Sequence, residues 1–268
     1  MKQTKIIIAS LILVFGLGFS SCKKEGCTDP VATNYNAEAE KDDGSCEFAP
    51  AGPTSAAPGS YSPSFAGEFG ALIAIKTITT SESPFGTVDT ELGTAVAVFS
   101  VNSGSSFVGA GNVTVDGEGL TLQENKSYVY LPSQINPLGL TFGSTVNWEG
   151  TGSTWEAFTT STNQDFSYVD PITSGDISKS NDYILTSGSI ANADSILYAV
   201  YGSSGNKLVI VAGNNTSHTF TASELSGLGE GSGYAQVVGL NYDQKVIGTK
   251  DYWLINETVR TKTINVKP

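Results

Sequence analysis

From Phe65 onward, short apolar and β-branched runs are separated by clusters of Gly, Ser, Asn and Asp. Alternation with a period of two puts successive side chains on opposite faces of a strand. Ala71–Thr79, Thr94–Val101 and Ser127–Leu131 read as strands in the first part of this region. Val113–Thr121 contains Asp116-Gly117 between two alternating segments, and tight primed turns favour those residues because they tolerate positive φ. Pro132 to Pro137 reads as a break. Strands are then expected at Thr145–Trp148, Tyr183–Thr186, Ser195–Tyr201, Lys207–Ala212, His218–Thr221, Tyr234–Leu240, Tyr252–Ile255 and Lys262–Val266. No stretch keeps a 3.6-residue apolar period, and only Ala222–Leu228 offers a helical turn.

Many short strands with turn signals at this spacing predict an all-β chain of sandwiches or barrels. About 200 residues suffice for one large sandwich or two of ordinary size. The expected division is two β-sandwich domains, 65–145 and 146–268, meeting near Phe142–Val146.

The chain before Phe65 has a different texture. Lys2 and Lys5 precede an almost wholly apolar run from Ile6 to Phe19, followed by Ser20, Ser21 and Cys22. The run suits an export signal and is short for a bilayer span. The small-residue pair before Cys22 resembles the bacterial lipobox, with Phe19 where that family usually carries Leu, Val or Ile. The resemblance implies cleavage after residue 21 and lipidation of Cys22, hence a membrane anchor in the cell envelope, on the outer membrane. An ordinary signal peptide, leaving Cys22 a free thiol, is the alternative.

Three cysteines are present. In an oxidising compartment Cys27 and Cys46 form the natural disulfide, and Cys22 is the odd one. Gly26–Cys46, GCTDPVATNYNAEAEKDDGSC, resembles a short cysteine-bracketed module that recurs in cell-surface and secreted bacterial proteins. Its Asp29, Asn34, Asn36, Asp42 and Asp43 supply oxygens of the kind Ca²⁺ takes; the same residues are also turn formers. Residues 49–64 hold four of the chain's ten prolines and read as an extended linker.

Loss of residues 1–21 would remove Lys2 and Lys5, leaving 12 basic against 26 acidic residues and a net charge of −14. With Arg260 as its single arginine, such a chain is a poor partner for nucleic acid or an anionic membrane surface.

Ser195–Tyr242 resembles the later strands of a fibronectin type III domain, on its strand pair, Thr219-Phe220-Thr221, Leu225, Leu228 and the run Tyr-Ala-Gln-Val-Val-Gly-Leu-Asn. The resemblance implies a corner role for Tyr234, its hydroxyl capping the preceding turn. Trp148 lies too far upstream to be that family's early core tryptophan in a simple domain. Asp194-Ser195-Ile196 resembles a bacterial O-glycosylation acceptor.

Enzymatic signals are few. The single histidine, His218, lies at a loop-to-strand edge, and no nucleophile elbow, zinc cluster or Walker sequence occurs. A carboxylate pair stays open, with Glu149, Glu156, Asp165, Asp170, Asp182 and Asp251 as candidates. Trp148 is expected in the core. Trp155, Glu156, Phe158 and Tyr168, in the long stretch 149–180, are the expected ligand-binding set, with Trp155 exposed. The leading expectation is a lipid-anchored, non-enzymatic binding protein facing a polysaccharide or envelope protein. A carbohydrate-active enzyme and a structural or adhesion protein are the alternatives.

Overall fold

A computed structural model of the chain describes residues 24–28, 34, 36–45, 63, 65–83 and 86–268. The chain divides into two compact units, Met1–Thr54 and Ser55–Pro268.

In the first unit, Glu25 and Lys41 form a parallel β-bridge, reinforced by their side-chain ion pair at 2.6 Å. Lys24 and Glu38 form a second ion pair. Cys27 is buried, and its carbonyl accepts the Asn36 N–H at 2.9 Å.

The second unit is all-β. Its strands are β1 (Phe69–Ser83), β2 (Gly86–Ser100), β3 (Val113–Val115), β4 (Glu118–Gly119), β5 (Thr121–Leu122), β6 (Tyr128–Tyr130), β7 (Val146–Gly150), β8 (Phe158–Thr162) and β9 (Tyr168–Val169). There follow β10 (Ile177–Ser178), β11 (Tyr183–Thr186), β12 (Ile190–Ala191), β13 (Ser195–Tyr201), β14 (Asn206–Ala212), β15 (Ser217–Phe220), β16 (Gly231–Ile247) and β17 (Lys250–Lys267). One short helix, α1 (Ala222–Leu225), precedes β16 and is held by a Thr221–Glu224 capping box. The expected Asp116-Gly117 hairpin is present: both residues have positive φ, and Val115 pairs with Glu118 across a two-residue loop.

The main sheet runs β14-β13-β16-β17-β1-β2-β6-β5, with β10 pairing the far end of β17. The long β16–β17 hairpin lies near its middle. β1 runs parallel to β17, in register from Phe69↔Asp251 to Ile78↔Arg260. This overturns the expected boundary near Phe142–Val146. Strands from both proposed halves share one sheet, and 55–268 is one compact unit. Two strands that alternate equally well carry no local mark of their partner, so pairing across the whole chain leaves no trace in periodicity.

Alternation along β17 separates two faces. Tyr252 and Leu254 join a core beneath the four-stranded sheet β4-β3-β7-β8, which contributes Val113, Val115, Trp148 and Phe158. Farther along the same face, Ile264 and Val266 join a second core with Tyr183, Leu185, Ile196, Tyr198 and Phe220. Between these cores the face turns polar, with Asn256, Thr258 and Arg260 buried in succession. The opposite face carries Phe69, Ala71, Val238, Leu240, Trp253, Ile255 and Val259.

Glu257 stands in the middle of that apolar face. Its register partners are Leu240 and Ile75, and Ile255 and Val259 flank it two residues away. It has no hydrogen-bond or ionic partner among the described residues. Burial pushes its carboxyl up to about 7, against an ordinary value of 4.5. The nearby Tyr242 phenol is pushed up to about 12, chiefly by burial and further by the Glu257 charge. A carboxyl with a raised folded pKa binds protons more readily in the folded state. Its contribution is therefore fully present below about pH 4.5 and is lost as pH rises through about 7. Glu257→Gln should leave stability almost unchanged at pH 4.5 and raise it at pH 8 by a few kcal/mol at most. Urea melts at the two pH values check this; an equal effect at both would show that burial does not shift the carboxyl.

Candidate functional site

β1 and β17 pair up to Ile78 and Arg260, and then diverge. β1 continues against β2 alone, while β17 stays on β16 and meets β10 only at Val266. The gap opens a cavity of about 650 Å³. Its walls include Thr80 and Asp89 from the β1–β2 hairpin, Tyr168 and Asp170 from the segment around β9, and Arg260 and Lys262 from β17.

Arg260 organises the notch. It is only 5% exposed. Its Nε donates to the Val169 carbonyl at 2.8 Å, one terminal nitrogen to Thr80 Oγ1 at 3.0 Å, and the other to Asp89 at 2.8 Å. Thr80 in turn donates to Asp89 at 2.6 Å. The planar guanidinium suits this fixed fork. Hydrogen bonds from Arg260 first, and from Thr80 second, hold the Asp89 carboxyl below its ordinary value. The guanidinium is thereby used within the protein and is no open receptor for an anion.

Tyr168 is 55% exposed at the mouth and donates to Asp170 at 2.5 Å. That bond, with the Asp170 charge, raises the phenol pKa. Lys262 donates to the Ser174 carbonyl at 2.7 Å. The notch thus combines an exposed ring, carboxylate oxygens and a threonine edge, with its guanidinium paired to Asp89 and its lysine bonded to a carbonyl. Such a surface suits a neutral, hydroxyl-rich ligand better than an ion.

Of the expected ligand set, only Tyr168 lies here. Trp155 is 0% exposed, which corrects its placement on the surface. Its ring packs on Phe99 and Tyr252, its Nε1 donates to the Tyr252 hydroxyl at 2.7 Å, and Lys250 Nζ lies 4.1 Å from the ring centroid. Phe158 is likewise core, against Phe99 and Tyr252. Glu156 is exposed, 3.8 Å from Lys250. The segment 149–180 is no single long loop, because β8, β9 and β10 fall within it. Trp148 is buried as expected.

Three of the Ca²⁺ candidates point a side-chain oxygen at backbone. Asn36 accepts the Glu38 N–H, Asp42 the Gly44 N–H and Asp43 the Ser45 N–H, each two residues on. The Asn34 amide donates to the Ser45 carbonyl. The first three are side-chain turns. Among the described residues, no group of three or more His, Cys, Asp or Glu is placed to hold a metal. Asp29, Cys22 and Cys46 lie outside the described residues.

The remaining candidates scatter. Asp165 borders a separate amide-lined cavity of about 340 Å³, Asp182 accepts the Ala222 N–H, and Asp251 accepts from Gln244. His218 packs between Tyr198 and Phe220. Ser195 is buried within β13, which pairs on both sides, so its hydroxyl is closed to a glycosylating enzyme. Tyr234 does not cap a turn: its ring stacks on Tyr201, and its hydroxyl has no hydrogen bond among the described residues.

The chain matches no protein-family model and none of the curated proteins.

Removing Arg260 would take the side-chain donor from the Val169 carbonyl and leave Asp89 with Thr80 alone. Arg260→Ala should cost about 3 kcal/mol. Asp89 is half exposed, and Asp89→Asn should cost only about 1 kcal/mol. Urea denaturation of the two variants orders them; equal costs would sink the central role given to the guanidinium.

Proposed function

We propose that this chain is a lipid-anchored, non-enzymatic binding protein of the cell envelope, tethered through Cys22, whose notch beside Arg260 takes a neutral glycan. One observation carries the ligand reading. The notch presents the exposed Tyr168 ring beside Asp170 and Thr80 while both of its cations have partners, Arg260 in Asp89, Thr80 and the Val169 carbonyl and Lys262 in the Ser174 carbonyl. A ring gives the apolar face of a sugar a surface to lie on, and carboxylate and hydroxyl oxygens take its hydroxyls.

The anchor reading rests on the sequence: the apolar leader, Ser20-Ser21-Cys22 and the unequal cysteine count. No described helix is long and apolar enough to cross a membrane. A Cys27–Cys46 bridge would staple the first unit, and the burial of Cys27 supports it. A fibronectin-like second half is supported by the antiparallel order β14-β13-β16-β17 with β11–β15 as a separate pair, the arrangement of C, F and G strands in sandwiches of that type.

An enzyme of the carboxylate-pair kind is less well supported. Asp89 and Asp170 share the notch, but a glycosidase acid needs a raised pKa, and Arg260 lowers that of Asp89.

Two measurements test the proposal. Tyr168→Ala should weaken binding to a responsive polysaccharide about tenfold, roughly the worth of one aromatic contact, with the fold intact. No binding of the parent chain to any member of a broad polysaccharide panel, with Ca²⁺ or with EDTA, would overturn the glycan reading and turn attention to envelope proteins. Cys22→Ala should abolish incorporation of labelled fatty acid and release the chain from membranes; continued labelling would refute anchoring at that residue.

A further inference from the structure

A second aromatic surface adjoins the notch. Tyr234 of β16 and Tyr201 of β13 are register partners, and their rings stack with centroids 4.3 Å apart and planes 18° from parallel. Tyr234 nevertheless remains 41% exposed. Its ring borders an open cavity of about 550 Å³, together with Gly202, Ser203, Ser232, Gly233, Thr261 and Thr263. Gly233 is required by close backbone packing: a Cβ there would lie 2.1 Å from the Tyr201 carbonyl oxygen. Thr261 accepts a long hydrogen bond from Gln236 at 3.3 Å, and Ser203 donates to the Glu230 carbonyl at 2.7 Å. No charged side chain lines this cavity.

The Tyr201–Tyr234 stack is not required by the core, since the second apolar core takes Tyr198 and Val200 from the same strand and omits Tyr201. What remains is a shelf with one aromatic wall and a row of hydroxyls, again the chemistry of a sugar ring rather than of an ion.

The shelf and the notch are neighbours. Thr261 borders both cavities, with Arg260 and Lys262 lining the notch and Thr263 the shelf. From Arg260 to Thr263, an extended strand covers about 10 Å. Alternation along β17 puts Arg260 and Lys262 on one face of the sheet and Thr261 and Thr263 on the other, so the two sites meet only around the strand edge that β1 has left, and a ligand filling both turns over that edge.

We infer that Tyr234, Thr261 and Thr263 form a second sugar subsite, and that the ligand is a polysaccharide chain long enough to occupy shelf and notch together. The inference rests on the glycan reading of the notch and adds to it a length requirement and a second ring. Linking two weak subsites through one ligand raises affinity without new contacts, so chain length should matter steeply.

The experiment uses the full chain, extracted in detergent, with a polysaccharide that binds it and a ladder of oligosaccharides cut from it. Affinity should rise by at least about tenfold between fragments that fill one site and those that span both. Tyr234→Ala should remove that gain and leave short-fragment binding through Tyr168 unchanged, whereas Tyr234→Phe, which keeps the ring, should retain it. Melting temperatures establish that each variant folds. Affinity independent of length, or Tyr234→Ala binding long chains like the parent, overturns the second subsite while leaving the notch reading standing. Failure of every glycan to bind the parent chain overturns both.

Discussion

The parallel contact between β1 and β17 is the constraint on which the rest of the second unit depends. It joins the first long strand to the last, and every other strand of the main sheet is attached through one or the other. Parallel neighbours cannot be joined by a tight turn, so the chain between them must travel. Here that excursion includes the whole of the four-stranded sheet, which comes back over Leu72, Ala97 and Leu254, and the small sheets β11–β15 and β9–β12, which cover the other end. The two cores sit on one continuous platform because their sheets are folded back onto the same face.

The same contact creates the notch by ending. While β1 and β17 stay paired, their side chains build the two faces; once they part, polar groups line the gap. Buried polar groups must find partners or lose stability. Asn256 donates to the Gln164 carbonyl at 2.6 Å, Asn241 donates to the Asp165 carbonyl, and Arg260 donates to the Val169 carbonyl. A run of β17 and β16 side chains thus grips the backbone of 164–169 and sets Tyr168 at the mouth. The exposed ring is positioned by buried amides and a guanidinium that bond the main chain next to it.

Much of the local structure was legible in the amino-acid order. Asp116-Gly117 marked a hairpin because few other pairs accept two positive φ angles. Thr221 and Glu224 stand three apart, as a capping box requires, and the helical turn follows. Trp148 alternates inward with Val146. The errors share a cause. Trp155 lies in Gly-Ser-Thr-Trp-Glu, which reads as a loop, and nothing local reveals that Phe99 and Tyr252 close over it from distant strands. The β1–β17 pairing was equally silent, since alternation records which face a residue takes and not which strand lies beside it. Arg260 stands out in the sequence as the single arginine. Its partners Thr80 and Asp89, some 170–180 residues earlier, could not be read from it.

That separation has a consequence for how the molecule comes into being. Contacts between segments far apart in sequence form late on a growing polypeptide, and proteins dominated by such contacts fold slowly. The β1–β2 hairpin can form early, but its free edge must wait until β17 has been synthesised before the sheet can close across it. Until then the chain holds long apolar strands without neighbours, the condition that invites mispairing. A chain with this order of events completes its platform only after β17 has been made, and its yield in the cell depends on how well that interval is protected.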